Sequence, residues 1–141
     1  MATINFFQED VKFKLEDKTS IRKWISSTAR SEGFELVSLN YIFCSDEYLL
    51  KINQKYLEHN SYTDIITFDN SSEQSRIESD IFISVDRLLE NAKRLKVPFN
   101  DELHRVMIHG ILHLVGYGDK TDLEKSLMRE KEDAYLSLRE F

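Results

Sequence analysis

The sequence predicts an α+β fold: one domain over residues 1–141, a mixed sheet of about four strands packed against several helices, and a metal site on one helix. Three observations lead there. Runs rich in β-branched and aromatic residues fall early and mid-chain, with segments of helical period between and after them, which allows crossover connections. One Pro and four Gly leave little room for linkers, while 41% apolar residues in a chain of 141 can fill one core. Two histidines, His109 and His113, stand four residues apart inside an apolar run.

The elements follow in order. Residues 3–8 read as the first strand, and the alternation Val11, Phe13, Leu15 as a further strand or an extended entry. Thr19 or Ser20 is placed to cap a helix to about residue 31, because Ile21, Trp24, Ile25 and Thr28 share one stripe and Gly33 follows. Trp24 belongs to the core. Residues 35–44 form the longest strand candidate and end in Cys44, a small buried thiol. Ser45 or Asp46 caps a helix to about residue 57, with Leu49, Leu50, Ile52 and Tyr56 apolar. After a turn at Thr63-Asp64, Ile65, Ile66 and Phe68 make a short strand. Residues 70–78 are polar and read as a surface loop, and residues 79–84 as a strand that pairs antiparallel with the one before it. A helix from about 86 to 96, capped by Ser84 or Asp86 and closed near Pro98, carries Arg87, Lys93, Arg94 and Lys96. Asn100 caps the helix that holds the histidines, with His104 and Arg105 a turn or more before His109. The last helix covers about 122–138, with Leu123, Leu127, Ala134 and Leu138 as its apolar stripe.

Helix geometry gives the histidines their meaning. Positions i and i+4 share a face, so both imidazoles can address one point, which is how helices offer two nitrogens to one metal ion. Gly110 costs the helix interior roughly 1 kcal/mol against alanine, so a packing or site reason is expected for it. Gly116 stands where the helix ends, and Asp119 is the first side chain able to swing back under the histidine face. The pattern is His-x3-His-x5-Asp, and two histidines with a carboxylate form a common catalytic set. One divalent ion on His109 Nε2, His113 Nε2 and Asp119 is the expectation.

A formal net charge of −6 argues against tight, sequence-independent nucleic-acid binding, which normally needs a basic surface. Any RNA substrate has to be met locally or delivered by a partner; no DNA partner is expected. No run of about 18 apolar residues occurs, so no membrane span is expected. The first residues lack the basic region and apolar core of a signal peptide, and Cys44 has no cysteine to pair with. A cytoplasmic protein is the expectation.

The stretch His109-Gly110-Ile111-Leu112-His113-Leu114-Val115-Gly116-Tyr117 closely resembles the metal motif of the YbeY-like endoribonucleases. The similarity extends over about residues 50–136: Asn53 and Tyr56, Thr63-Asp64 with the strand after it, Ser79-Asp80-Ile81, and Glu124, Met128 and Glu132 fall at matching places. Two positions depart. The family normally has a third histidine ten residues after the first, where this chain has Asp119, and an arginine after the tyrosine, where it has Leu57.

The resemblance implies a single-strand-specific, metal-dependent endoribonuclease. Its role would be ribosomal RNA maturation, including processing of the small-subunit 3′ end, and ribosome quality control, with ribosomal RNA and small-subunit proteins as partners. It implies zinc; the extra negative charge of Asp119 points to wider tolerance of manganese, iron or nickel. A phosphodiester under attack needs a positioned cation, and Leu57 cannot supply one. His59 and Arg105 are the candidates for catalytic help, and Arg87, Thr63 and Asp64 for substrate binding. Two other functions compete. In a zinc peptidase a glutamate would follow His109 as general base, where this chain has Gly110. A ribosome-associated binding module with a structural metal fits the acidic balance and the missing arginine.

Overall fold

A computed structural model of the chain describes residues 2–59 and 61–141. Four strands, β1 (Thr3–Glu9), β2 (Glu35–Cys44), β3 (Ile65–Asp69) and β4 (Arg76–Ser84), form one sheet in the order β1-β2-β4-β3. β1 and β2 run parallel, as do β2 and β4, while β3 lies antiparallel to β4 at the edge. The sheet is therefore mixed, as the sequence predicts, and the β3–β4 pair has the expected direction. Among the described residues five helices accompany it: α1 (Lys18–Ser31), α2 (Asp46–Leu57), α3 (Val85–Leu95), α4 (Phe99–Leu114) and α5 (Asp122–Leu136).

The period-2 alternation of the strands decides which helix lies where. Leu39, Tyr41, Phe43, Ile77, Ile81 and Ile83 point into the main core, where they meet Ile21, Trp24 and Ile25 of α1, Leu88 of α3, and Met107, Ile108 and Ile111 of α4. On the other face Leu49 of α2 packs with Ile66 and Cys44, against Phe68 and Phe82. A register shift between Leu36 and Ser38 breaks the alternation of β2, so Leu36 and Leu39 both reach the main core. Tyr41, fully buried, donates its hydroxyl to the Met107 carbonyl at 2.9 Å and ties α4 to the sheet.

Several expectations need correction. Val11, Phe13 and Leu15 form no strand: between the left-handed residues Asp10 and Asp17 the chain is irregular, though Leu15 is buried and Phe13 packs on Phe43 and Phe99. Thr19, Ser20 and Asn100 lie inside their helices rather than capping them; α1 starts after Asp17 and α4 after Pro98, neither with a side-chain cap. Pro98 already holds the φ a helix entry needs, and its carbonyl accepts from Asp101 and Glu102 N–H. β4 begins at Arg76, inside the expected loop, because Ile77 continues the inward alternation and Glu35 pairs with Arg76 across β2. Ser45 and Ser84 cap α2 and α3 as expected.

The largest correction concerns α5. Its expected stripe is exposed, with Leu123 at 85% and Leu138 at 63%, while Met128, Glu132 and Tyr135 face inward. The helix turns this way because Glu132 is taken up by Arg105 and His109, and the Tyr135 hydroxyl by Glu32.

Candidate metal centre

α4 brings His109 and His113 to one face, their ring centroids 4.4 Å apart and nearly perpendicular. After Leu114 the chain reverses at Gly116, whose φ of +110° lies where side-chain-bearing residues rarely go. The reversal returns Asp119 to the histidines: its Oδ2 lies 3.4 Å from His109 Nε2 and 3.3 Å from His113 Nε2. Thr121 and Glu124 close this turn with a reciprocal capping box at the start of α5, a signal the sequence carries in Thr-x-x-Glu.

The opposite edges of the rings show whether the donor set suits a metal. His109 Nδ1 is 2.7 Å from Glu132 Oε2, and His113 Nδ1 is 3.0 Å from the Tyr117 carbonyl. Both partners are acceptors, so a neutral ring keeps its proton on Nδ1 and offers a bare Nε2 toward Asp119. Two ring nitrogens and a carboxylate oxygen, all within 4.8 Å of one another, then converge with no donor of their own. That donor set fits a divalent cation.

The surrounding charge points the same way. Burial alone would lower the pKa of His109, but Glu132, then Asp119 and Asp64, raise it above the ordinary histidine value. Burial likewise pushes Glu132 up, and its hydrogen bonds from His109 and Arg105 outweigh this and hold it below the usual carboxylate range. Asp64 is dominated by burial and lies above the ordinary aspartate value, although His109, a backbone N–H and Asn91 oppose the shift. A positive charge at Nε2 of His109, proton or metal, is what these carboxylates favour.

Gly110 has a packing reason. A Cβ there would lie 3.0 Å from Ile65 Cδ1 and 3.1 Å from Ile81 Cδ1, so the missing side chain lets α4 sit close on β3 and β4. That approach puts the histidines beside the segment leading into β3. His59, Thr63 and Asp64 line a cleft of about 530 Å³ together with His109, His113 and Asp119. Leu57, Tyr62 and Asn53 complete much of its wall, and Asn53 Nδ2 donates to the Ser61 carbonyl at 2.8 Å, fixing the loop.

Arg87 and Arg105 are not brought into this cleft. Arg87 donates to Asp46 Oδ2 at 2.7 Å and lies over the Tyr62 ring. Arg105 grips Glu132 Oε1 and Asp133 Oδ1, each at 2.8 Å, and borders a smaller cleft of about 270 Å³ that, among the described lining residues, shares only Asp64 and His109 with the first. Its connection to His109 runs through Glu132. Glu132, the Tyr117 carbonyl and Tyr62 are the site groups that sequence reasoning leaves without a role. Glu132 lies 23 positions beyond His109 on another helix, so no local periodicity connects them.

The family model described as "Endoribonuclease YbeY" matches residues 3–139. A protein of that name from Cytophaga hutchinsonii is 55% identical over 139 residues, covering 99% of this chain and 97% of its own length. Another from Flavobacterium psychrophilum is 50% identical over 132 residues, 94% of each chain. The solution structure of TM1509 from Thermotoga maritima has a TM-score of 0.66 at 26% identity, covering 96% of this chain and 87% of that one. With the family model and relatives at half identity spanning nearly the whole of it, this chain belongs to the YbeY family.

Proposed function

We propose that this chain, folding as one domain over residues 1–141, is a metal-dependent endoribonuclease that cuts single-stranded ribosomal RNA during maturation of the small-subunit 3′ end and in ribosome quality control. One observation carries the reading: His109 Nε2, His113 Nε2 and Asp119 Oδ2 converge at 3.3–3.4 Å in an open cleft, with both Nδ1 atoms already hydrogen-bonded. The names of the relatives supply the substrate class.

His109, His113 and Asp119 are the proposed ligands of one divalent ion, zinc by preference, with manganese, iron or nickel accepted because Asp119 stands for a histidine. The ion, when bound, supplies Lewis acidity toward the phosphate and lowers the pKa of a water. Glu132 and the Tyr117 carbonyl hold the two imidazoles in tautomer and direction. Arg105 holds Glu132 and is a positioning residue. Thr63 and Asp64 present polar groups to the substrate. His59, exposed on the cleft wall, is positioned to donate a proton or carry positive charge where Leu57 cannot. Arg87 supports the wall through Tyr62. Ribosomal small-subunit proteins deliver the RNA, and the protein works in the cytoplasm. No described helix is long and apolar enough to cross a membrane.

A second reading, a ribosome-associated binding module with a structural metal, draws on one observation: no Lys or Arg occurs among the described residues lining the cleft. The peptidase reading gains nothing, since Gly110 is taken up by packing on Ile65 and Ile81. Elemental analysis of the purified protein, then cleavage of single-stranded and duplex RNA with that metal and with chelator, separates the readings. Chelator-sensitive cleavage of single strands alone is expected. A metal-loaded protein that binds ribosomal RNA without cutting it would support the binding module.

A further inference from the structure

We propose that Tyr62 is a stacking platform for one unpaired nucleobase, so that the RNA is gripped by stacking and by the metal centre rather than by ion pairs to its phosphates. The inference rests on the ribonuclease reading above. It starts from charge. The chain carries a net charge of −6, and the cleft, among its described lining residues, has neither Lys nor Arg. Phosphate neutralisation, the ordinary source of nucleic-acid affinity, is therefore scarce where the substrate must lie. Proteins that hold single strands draw on a second source, aromatic rings against base faces.

Tyr62 has the placement for this. It sits on the cleft wall directly before Thr63 and Asp64 and is 50% exposed. The ring is nevertheless braced. Its hydroxyl donates to Glu47 Oε1 at 2.7 Å, and the Arg87 guanidinium carbon lies 5.5 Å from the ring centroid. Arg87 is itself fixed by Asp46 Oδ2, and Asp46 Oδ1 accepts from the Ser84 hydroxyl at 2.6 Å. Residues from α2 and α3 thus orient an exposed ring, so little rotamer entropy remains to be lost when a base arrives. Leu57, 42% exposed, extends the apolar wall. A base paired within a duplex has its faces covered by its neighbours, so this platform takes only an unpaired base.

The test is binding of a fluorescent single-stranded oligoribonucleotide to the metal-loaded full chain, read by anisotropy over a range of salt. Tyr62→Ala is expected to weaken binding about tenfold, and Tyr62→Phe to stay within about threefold of the parent protein. The loss should be equal at low and high salt. The parent's salt slope should be no steeper than the value of about −0.7 that a single phosphate contact gives. An abasic site scanned along the oligonucleotide should, at one position, cost the parent the same tenfold, about, and cost Tyr62→Ala nothing further. Binding by Tyr62→Ala within about twofold of the parent, at equal metal content, overturns the stacking role; a steep salt slope overturns the claim that ion pairs are minor. A parent protein that binds no single-stranded RNA would sink the ribonuclease reading, and this inference with it.

Discussion

Glu132 Oε2 on α5 lies 2.7 Å from His109 Nδ1 on α4, while its other oxygen takes a hydrogen bond from Arg105 at 2.8 Å. One buried carboxylate thus joins His109 to a cation on its far side. Replacing it by an amide keeps the volume and loses the charge. Glu132→Gln is expected to weaken metal binding 10–100-fold, about the range for an outer partner of a ligating histidine. Competition with a chromophoric chelator measures it; an unchanged affinity would show that Glu132 serves packing alone.

His113→Ala should abolish stoichiometric metal binding, because two remaining ligands rarely hold such an ion. Asp119→Asn should weaken binding by removing the negative charge, and Asp119→His should restore a site that prefers zinc over manganese more strongly. Elemental analysis of each variant, purified from metal-supplemented medium, provides the check. Full metal content in Asp119→Ala would move the third ligand elsewhere.

Leu57 and His59 share the cleft wall. His59→Ala is expected to lower RNA cleavage severalfold with metal content unchanged. Leu57→Arg should add one phosphate contact, steepening the salt dependence of RNA binding by about 0.7 in the slope. Wild-type cleavage by His59→Ala at every pH tested would remove His59 from the reaction.

Tyr41 is fully buried and its hydroxyl reaches the Met107 carbonyl at 2.9 Å. Tyr41→Phe removes that bond and keeps the ring, at a cost of about 1 kcal/mol. Thermal unfolding should show a fall in Tm of about 3–5 °C. Metal content should not change, since the backbone of α4 is held by its other contacts with the sheet.

His104 gives the stability a pH dependence. Burial and then the Arg139 guanidinium, whose Nη1 lies 2.7 Å from His104 Nδ1, hold its pKa down to about 4, with Asp101 and Asp17 opposing weakly. Trp24 and Phe141 pack edge-on against the ring. The unfolded chain binds this proton near the ordinary value of about 6.5, so the folded state is favoured most above that pH and loses ground as pH falls toward about 4. The loss amounts to roughly 2–3 kcal/mol. His104→Asn keeps an acceptor for Arg139 and cannot titrate. Urea unfolding at about pH 7 and about pH 4.5 should show a smaller fall in the variant, with carboxylate contributions common to both proteins. Equal falls would mean that His104 stays neutral in neither or both states.

The sequence by itself determined what short-range periodicity and capping chemistry can encode. The bounds of β2, the Ser45 and Ser84 caps, the antiparallel β3–β4 pair, and the shared face of His109 and His113 were all legible, because each depends on residues close together in the chain. The family likeness was legible too, most specifically in the motif on one helix and its turn, and more loosely over about residues 50–136. The tertiary structure alone decided the strand order, the face that α5 buries, and the hydrogen-bond partners behind His109 and His113. Leu123, Leu127, Ala134 and Leu138 make as good an apolar stripe on paper as Met128, Glu132 and Tyr135 make a poor one. Glu132 lies inside only because His109 and Arg105 on another helix satisfy its charge there, and a buried carboxylate is stable only when so paired. That pairing is a property of two helices in contact, and a linear pattern holds no record of it.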